Sequence, residues 1–127
     1  MIDWNKQLNI AVRESKKSQY KHLVVKTLVL LAIKIRYSKN LKWQRIYSEF
    51  DLNGCIPDIY HENLKSKEVY CYEIQENITE DYITSKNKFY NNYEVYGFNR
   101  VNWILIKLKD CPDDLESIWD WVRKHIV

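Results

Sequence analysis

The sequence predicts an α/β protein in which a mixed four-stranded sheet is flanked by helices. Three observations predict this class. Apolar residues recur at helical spacing after Tyr20, three strand-like runs follow around an Asn53-Gly54 pair, and a segment of helix length separates the third run from a fourth. Because a helical crossover joins parallel strands and short turns join antiparallel ones, the expected order is α-β-β-β-α-β followed by a C-terminal helix.

The composition is that of one globular domain spanning residues 1–127. With 46% hydrophobic and 29% charged residues, the chain excludes intrinsic disorder. The 20 Lys and Arg residues exceed the 17 Asp and Glu residues by three, so a local basic patch is allowed, but this small excess does not by itself indicate nucleic-acid binding. Three widely spaced cysteines without a CxxC pair predict neither a disulfide framework nor a zinc site.

The sequence predicts no secretory or membrane-spanning segment. Charged residues such as Asp3 and Arg13 interrupt the start of the chain, which therefore lacks the apolar core of a signal peptide. The longest apolar stretch, residues 23–35, contains Lys26 and Lys34 and is too short to span a bilayer. We therefore expect a soluble cytoplasmic protein that does not bind a membrane.

The first predicted helix covers about residues 16–38. Ser18 is its expected N-cap, and basic residues near its end suit the negative pole of the helix dipole. Apolar residues on the flanks predict packing on more than one side. The residues that predict its buried stripe, spaced three and four apart, are Leu23, Val24, Thr27, Leu28, Leu31 and Ile35.

Three consecutive antiparallel strands are expected next. The first covers residues 43–51, and Asn53-Gly54, a favoured hairpin pair, connects it to a second strand over residues 55–60. The polar stretch 61–67 is predicted to turn the chain into a third strand, residues 68–75.

A helix over about residues 79–93 and a fourth strand over residues 101–107 complete the sheet. The acidic first turn of the helix complements its dipole. The fourth strand is almost continuously apolar, which predicts burial on both faces. A final helix follows residues 111–114, and its amphipathic stripe consists of Leu115, Ile118, Trp119, Val122 and Ile126.

Two carboxylates occupy unusual positions in this scheme. Asp58 follows Pro57 in the second strand, and Glu73 lies near the end of the third strand on the same face as Cys71. If Asp58 faces the same side, the two carboxylates converge on a site for a hard divalent cation. The alternative is that both carboxylates point into solvent at the strand ends.

The pair Pro57-Asp58, followed by Glu73-x-Gln75 on the next strand and then by a crossover helix, resembles the motif of the PD-(D/E)xK nucleases. These restriction endonuclease-like proteins have an αβββαβ core. The resemblance covers most of the chain before the final helix, and Asp58 and Glu73 match the two carboxylates of the motif. Its specificity comes from the agreement between the motif and the order of elements.

Gln75 departs from the motif, which most often has Lys at this position. Some active members, including competence-associated nucleases, carry glutamine there and also have a basic residue and a tyrosine on the following helix. In this chain Lys86, Lys88 and Tyr90 occupy that region. The resemblance is therefore to the glutamine variant of the superfamily.

The resemblance implies a metal-dependent nuclease that hydrolyses DNA phosphodiester bonds. Asp58, Glu73 and the backbone carbonyl of Ile74 would hold Mg²⁺ or Mn²⁺. Gln75 would orient the attacking water, and Lys86 would replace the missing positive charge. A solvated lysine on an amphipathic helix is the alternative for Lys86.

Three further residues are candidates for the site. Glu49 is a candidate third carboxylate ligand or, alternatively, a cross-strand partner for a basic residue. Glu14 resembles the acidic residue that many family members carry on the first helix. His22 is placed to contact a phosphate, although a lone histidine is more often structural.

The resemblance also implies DNA as the partner and a homodimer as the assembly, because many enzymes of this architecture pair two copies to cut two strands. Lys39, Lys42 and Arg45 would suit a phosphate backbone if they lie on the active-site side. The rival hypothesis, suggested by Gln75, is a catalytically inactive nuclease-fold protein that serves as a nucleic-acid-binding or protein-interaction module. A structural protein with no nucleic-acid role is a third hypothesis.

Overall fold

The structure, a computed structural model, describes residues 17–127, so the candidate Glu14 lies outside the described residues. The elements follow the predicted order of helices and strands, which confirms the α/β class. Their bounds are α1 Lys17–Arg36, a 3-10 helix Ser38–Trp43, β1 Gln44–Ser48, β2 Ile59–Asn63, β3 Glu68–Gln75, α2 Glu80–Asn92, β4 Arg100–Lys107, a 3-10 helix Leu108–Asp110 and α3 Leu115–His125.

The four strands form one mixed sheet in the order β1-β2-β3-β4. The first three strands are antiparallel, and β4 runs parallel to β3 after the α2 crossover, as predicted. In this register Ile59 at the start of β2 lies opposite Tyr72 near the end of β3. The residues just before β2 and those at the end of β3 therefore meet at one end of the sheet.

The sheet separates two apolar cores. The larger core lies between the sheet and helices α1 and α3, and the smaller one lies on the opposite face under α2. Side chains alternate along β3, so Tyr72 and Ile74 enter the larger core whereas Val69 and Cys71 enter the smaller one. Glu73 follows the second set, which directs its carboxylate toward α2.

The prediction for β2 was wrong by several residues. The strand is Ile59–Asn63, so His61, Glu62 and Asn63, which were predicted to lie in a turn, are buried strand residues. Tertiary contacts explain this. The ring of His61 packs against two tyrosines, and Glu62 accepts a 2.6 Å hydrogen bond from the Tyr60 hydroxyl. Buried polar groups with such partners are tolerated in a strand, which polarity alone does not reveal.

Residues 49–58 form a loop, the β1–β2 loop, where strand residues were expected. Asn53-Gly54 lies at its tip, as the hairpin signal predicted, with φ angles of 60° and 142°. The backbone N–H of Leu52 donates to the carbonyl of Cys55 at 2.9 Å and closes this turn. Leu52 is buried in the smaller core, so the loop folds over that face of the sheet.

The buried face of α1 differs from the predicted one. Val25, Val29 and Ile33 are fully buried, whereas the predicted stripe residues Leu31 and Ile35 are 47% and 53% exposed. The helix is apolar on most sides, so periodicity alone did not select the side that meets the sheet. Within the described part of the chain, no helix combines the length and apolarity needed to cross a membrane.

The prediction that β4 is buried on both faces was also wrong. In this strand only Ile106 is buried, because β4 is the last strand of the sheet and forms one of its two edges. The stripe of α3 was predicted more accurately, since Ile118 and Val122 are fully buried. Leu115 is the stripe residue that remains exposed.

Candidate active site

An open cleft of about 400 Å³ lies where β2 begins and β3 ends. Helix α1 contributes His22, the β1–β2 loop contributes Asp58, and β3 contributes Glu73 and Gln75. The structure therefore brings these four sequence-predicted residues to one cavity, at the end of the sheet where β2 begins and β3 ends.

Asp58 is anchored by contacts across the cleft. Its Oδ2 accepts a 2.7 Å hydrogen bond from the backbone N–H of Ile74, and its Oδ1 lies 3.0 Å from Nε2 of His22. The hydrogen bond to Asp58 raises the pKa of His22 and outweighs the opposing effect of burial. Asp58 is thus held in place beside β3 and does not simply point into solvent.

Glu73 is a buried carboxylate whose two oxygens have different surroundings. The side chain is 6% exposed, and its Oε2 accepts hydrogen bonds from Tyr90 at 2.7 Å, Lys86 at 2.8 Å and the Cys55 thiol at 3.3 Å. Such partners are needed because burying an unpaired carboxylate is very unfavourable. Among the described residues, Oε1 accepts no hydrogen bond.

Lys86 and Tyr90 reach Glu73 from α2, where a spacing of four residues puts them on the same side of the helix. Burial lowers the pKa of Lys86, but hydrogen bonds to Glu73 and Cys55 outweigh it and raise the pKa above its ordinary value. Burial and the hydrogen bond with Cys55 raise the pKa of Tyr90 as well. Lys86 is therefore a charged partner of Glu73 and not a solvated surface lysine.

Gln75 and Glu49 have different surroundings. Gln75 lines the cleft, and its Nε2 donates to the carbonyl of Asn77 at 3.3 Å. Glu49 is not a cleft residue, since its carboxylate pairs with Lys26 of α1 at 3.1 Å and is 67% exposed. This pairing matches the alternative role of Glu49, as a partner for a basic residue.

The donors of the cleft fit a divalent cation that keeps part of its water shell. Mg²⁺ and similar ions commonly bind one or two carboxylates and complete their coordination with water and substrate phosphate. Asp58 and Glu73, the latter through Oε1, could supply these carboxylates. Within residues 17–127, no group of three or more His, Cys, Asp and Glu side chains is arranged to hold a metal.

Cys55 is the site residue that sequence reasoning missed. Its Sγ lies within 3.2 Å of both Lys86 Nζ and Tyr90 Oη, whereas the sequence suggested only a small core residue. The fold of the β1–β2 loop produces these contacts, and no residue spacing in the sequence signals them.

We compared the chain with models of protein families, with curated proteins and with solved structures, and found no match in any of the three comparisons. The functional proposal therefore rests on the residues of the cleft and on the motif that they form.

Proposed function

We propose that the chain is a metal-dependent nuclease of the PD-(D/E)xK type that hydrolyses DNA phosphodiester bonds. The observation that carries this proposal is the meeting of Asp58, Glu73 and Gln75 in one cleft at the ends of two adjacent strands. Their placement supports the proposal because the superfamily builds its site from these motif positions.

The proposed chemistry assigns each residue a role. Asp58, Glu73 and the carbonyl of Ile74 would hold Mg²⁺ or Mn²⁺, and the bound ion would lower the pKa of a water and polarise the scissile phosphate. The amide of Gln75 orients that water within the cleft. Lys86, which contacts Glu73 at 2.8 Å, provides the ammonium that Gln75 lacks and stabilises negative charge in the transition state.

Glu73 also supports a second candidate function. Three donors already satisfy its Oε2, so the carboxylate has stable partners in the protein alone. This arrangement, together with glutamine at position 75, favours a nuclease-fold protein that binds nucleic acid or another protein without turnover.

Cleavage assays with Mn²⁺ distinguish the two functions. We expect Asp58→Asn and Glu73→Gln to reduce the cleavage of a mixed panel of DNA substrates by at least about 100-fold, comparable to removing a preorganised catalytic group. Glu49→Gln is the matched control, because this carboxylate pairs with Lys26 outside the cleft. Its activity should remain close to that of the wild type.

The cleavage assays have two contrary outcomes. Activity that persists in both cleft variants would overturn the site. Absent cleavage with retained DNA binding would favour the second candidate.

A homodimer remains part of the proposal as the means to cut two strands of a duplex. Sedimentation equilibrium over a range of protein concentrations, with and without duplex DNA, is the measurement. A chain that stays monomeric on duplex DNA would contradict it.

A further inference from the structure

Two aromatic side chains lie exposed near β1, on the face of the sheet that carries the smaller core. Arg45 and Tyr47 share the face that carries Tyr60 and Glu62, since the ring centroids of Tyr47 and Tyr60 are 6.4 Å apart and Arg45 is 3.5 Å from Glu62. The ring of Phe50, in the loop that follows, stacks on Tyr60 at 4.7 Å. Tyr47 and Phe50 nevertheless remain 44% and 39% exposed.

A third exposed ring precedes β1. Trp43 is 43% exposed, and its carbonyl accepts a 2.8 Å hydrogen bond from the backbone N–H of Leu64, which continues the ladder between β1 and β2. The ammonium of Lys42 lies 5.7 Å from the centre of the Trp43 ring. We call the following set the aromatic strip: Trp43, Arg45, Tyr47 and Phe50.

We propose that the aromatic strip binds single-stranded nucleic acid by stacking on unpaired bases. Exposed aromatic rings accept any base because every base has a π-face, and interspersed cations neutralise the phosphate backbone. The strip combines these two features, since its three rings are accompanied by Arg45 and Lys42. In a duplex the bases are already stacked on one another, so the rings favour a single strand.

The charges around the strip favour a polyanion over an apolar protein partner. Three carboxylates lie near the strip. Glu62 accepts from the Tyr60 hydroxyl and pairs with Arg45, Glu49 pairs with Lys26, and Asp51 accepts from the backbone N–H of Asn53. The side chain of Arg45 is still 56% exposed and retains donors for phosphate. The basic residues that lead into and form the strip are Lys39, Lys42 and Arg45.

Phe50, the last residue of the strip, lies in the same β1–β2 loop as Asp58. The backbone N–H of Glu49 donates to the carbonyl of Asp58 at 3.0 Å. Phe50 is therefore adjacent in sequence to a residue that is hydrogen-bonded to Asp58, which lines the cleft. A single strand stacked on the strip would therefore lead its backbone toward Asp58. This role as a substrate path rests on the proposed nuclease function, whereas the binding of single strands does not.

Fluorescence anisotropy with a labelled oligothymidine tests the proposal. The measurement uses the full chain in EDTA, so that binding is measured without cleavage. We expect Tyr47→Ala and Phe50→Ala each to weaken binding about fivefold or more, the effect of losing one stacked base. Tyr96→Ala is the matched control, because Tyr96 is fully exposed on the loop before β4 and does not belong to the strip.

Two further variants separate stacking from general destabilisation. Tyr47→Leu and Phe50→Leu retain apolar contact with Tyr60 but lack a flat ring, so they should keep the melting temperature near that of the wild type and still lose affinity. Arg45→Ala should reduce the slope of log K against log salt concentration by about one, as expected when one phosphate contact is lost.

Equal binding of the single strand by wild type and the leucine variants would overturn the proposal, as would a duplex that binds through the same rings with equal affinity. It would also be overturned if the strip substitutions dissociate a dimer of the chain, since a second copy would then occupy the strip.

Strip-dependent binding without Mn²⁺-dependent cleavage would support the proposal for the strip and contradict the proposed nuclease function. Cleavage that is unaffected by the strip variants would support the nuclease and contradict the strip as its substrate path.

Discussion

His61 shows how one buried polar side chain shapes stability. The residue is fully buried in β2, and its Nε2 lies 2.6 Å from Oε1 of Gln44. Its Nδ1 is buried without a hydrogen-bond partner among the described residues. Burial lowers the pKa of His61 from 6.5 to about 4, because the charged ring would lose its hydration.

This pKa predicts that His61 reduces stability in mild acid. Between pH 6.5 and about 4 the unfolded chain binds a proton at His61 that the folded chain does not, so the folded state loses stability as the pH falls. The shift corresponds to about 2 to 3 kcal/mol across this range. His61→Phe should remove that decline. Urea unfolding of both proteins from pH 7 to pH 4 measures it.

Comparing the wild type with His61→Phe also separates the pH dependence caused by His61 from that caused by His22. The pKa of His22 is raised, so its contribution to stability is present below pH 6.5 and is lost as the pH rises through its folded pKa, which is the opposite trend. Both proteins retain His22, so its contribution cancels. Stability curves of wild type and variant that remain parallel down to pH 4 would contradict the role assigned to His61.

Tyr90 allows a second test, on the surroundings of Glu73. Tyr90→Phe removes one of the three hydrogen bonds to Oε2 but keeps the ring, which stacks on Trp103 at 5.7 Å. Because the acceptor is a buried charge, we expect a loss of about 1.5 to 3 kcal/mol in the free energy of unfolding. Denaturant titration measures the loss.

Tyr93→Phe is the control for Tyr90→Phe. The Tyr93 ring stacks on Phe89 at 5.2 Å, and its hydroxyl makes no hydrogen bond with the described residues. Its substitution should change stability by less than about half a kcal/mol. Equal losses for the two variants would show that the Tyr90 hydroxyl does not stabilise Glu73.

At the scale of the elements, α1 offers a matched pair of isoleucines. Ile33 is fully buried in the larger core, whereas Ile35, two residues later, is 53% exposed. Ile33→Ala should lower the free energy of unfolding by about 2 to 5 kcal/mol because it leaves a cavity. Ile35→Ala should have an effect below about 1 kcal/mol. Thermal or chemical unfolding of the two variants checks the orientation of the helix, and a reversed ranking would contradict it.

The elements that could be predicted from sequence are those whose signals are local. The order of helices and strands, the parallel pairing of β3 with β4, and the turn at Asn53-Gly54 follow from periodicity, connection length and turn chemistry. The bounds of β2 could not be predicted, because its polar residues depend on tertiary partners. The buried face of α1 also depends on which side meets the sheet, and periodicity does not predict that side for a helix that is apolar on most sides.

In the candidate site, too, local sequence signals predict some residues, whereas tertiary contacts determine others. Asp58, Glu73 and Gln75 were found by motif and strand alternation, which are sequence properties, and they line one cleft. Cys55 could not be found, because its contacts arise from the way the β1–β2 loop folds over the smaller core. The pairing of Glu49 with Lys26 likewise joins a loop to a helix that are far apart in sequence.

At the scale of the whole molecule, the cleft is assembled from segments that are distant along the chain. Asp58 comes from the β1–β2 loop, its partner His22 from α1 and Glu73 from β3, whereas Lys86 of α2 contacts Glu73 without lining the cleft. These side chains meet only when the sheet has formed and both of its faces are covered. A ligand that bridges Asp58 and Glu73 would therefore bind the folded chain and have little affinity for the unfolded one.

This dependence predicts that Mn²⁺ stabilises the folded chain. At a concentration ten times the dissociation constant, an ion that binds only the native state adds about 1.4 kcal/mol, which for a domain of this size raises the melting temperature by about 3 to 8 °C. Differential scanning calorimetry with and without Mn²⁺ measures the shift. Asp58→Asn and Glu73→Gln should abolish it, whereas Glu49→Gln should retain it because Glu49 pairs with Lys26 outside the cleft. An equal shift in all four proteins would place the ion elsewhere, and the absence of a shift in the wild type at millimolar Mn²⁺ would contradict the metal site.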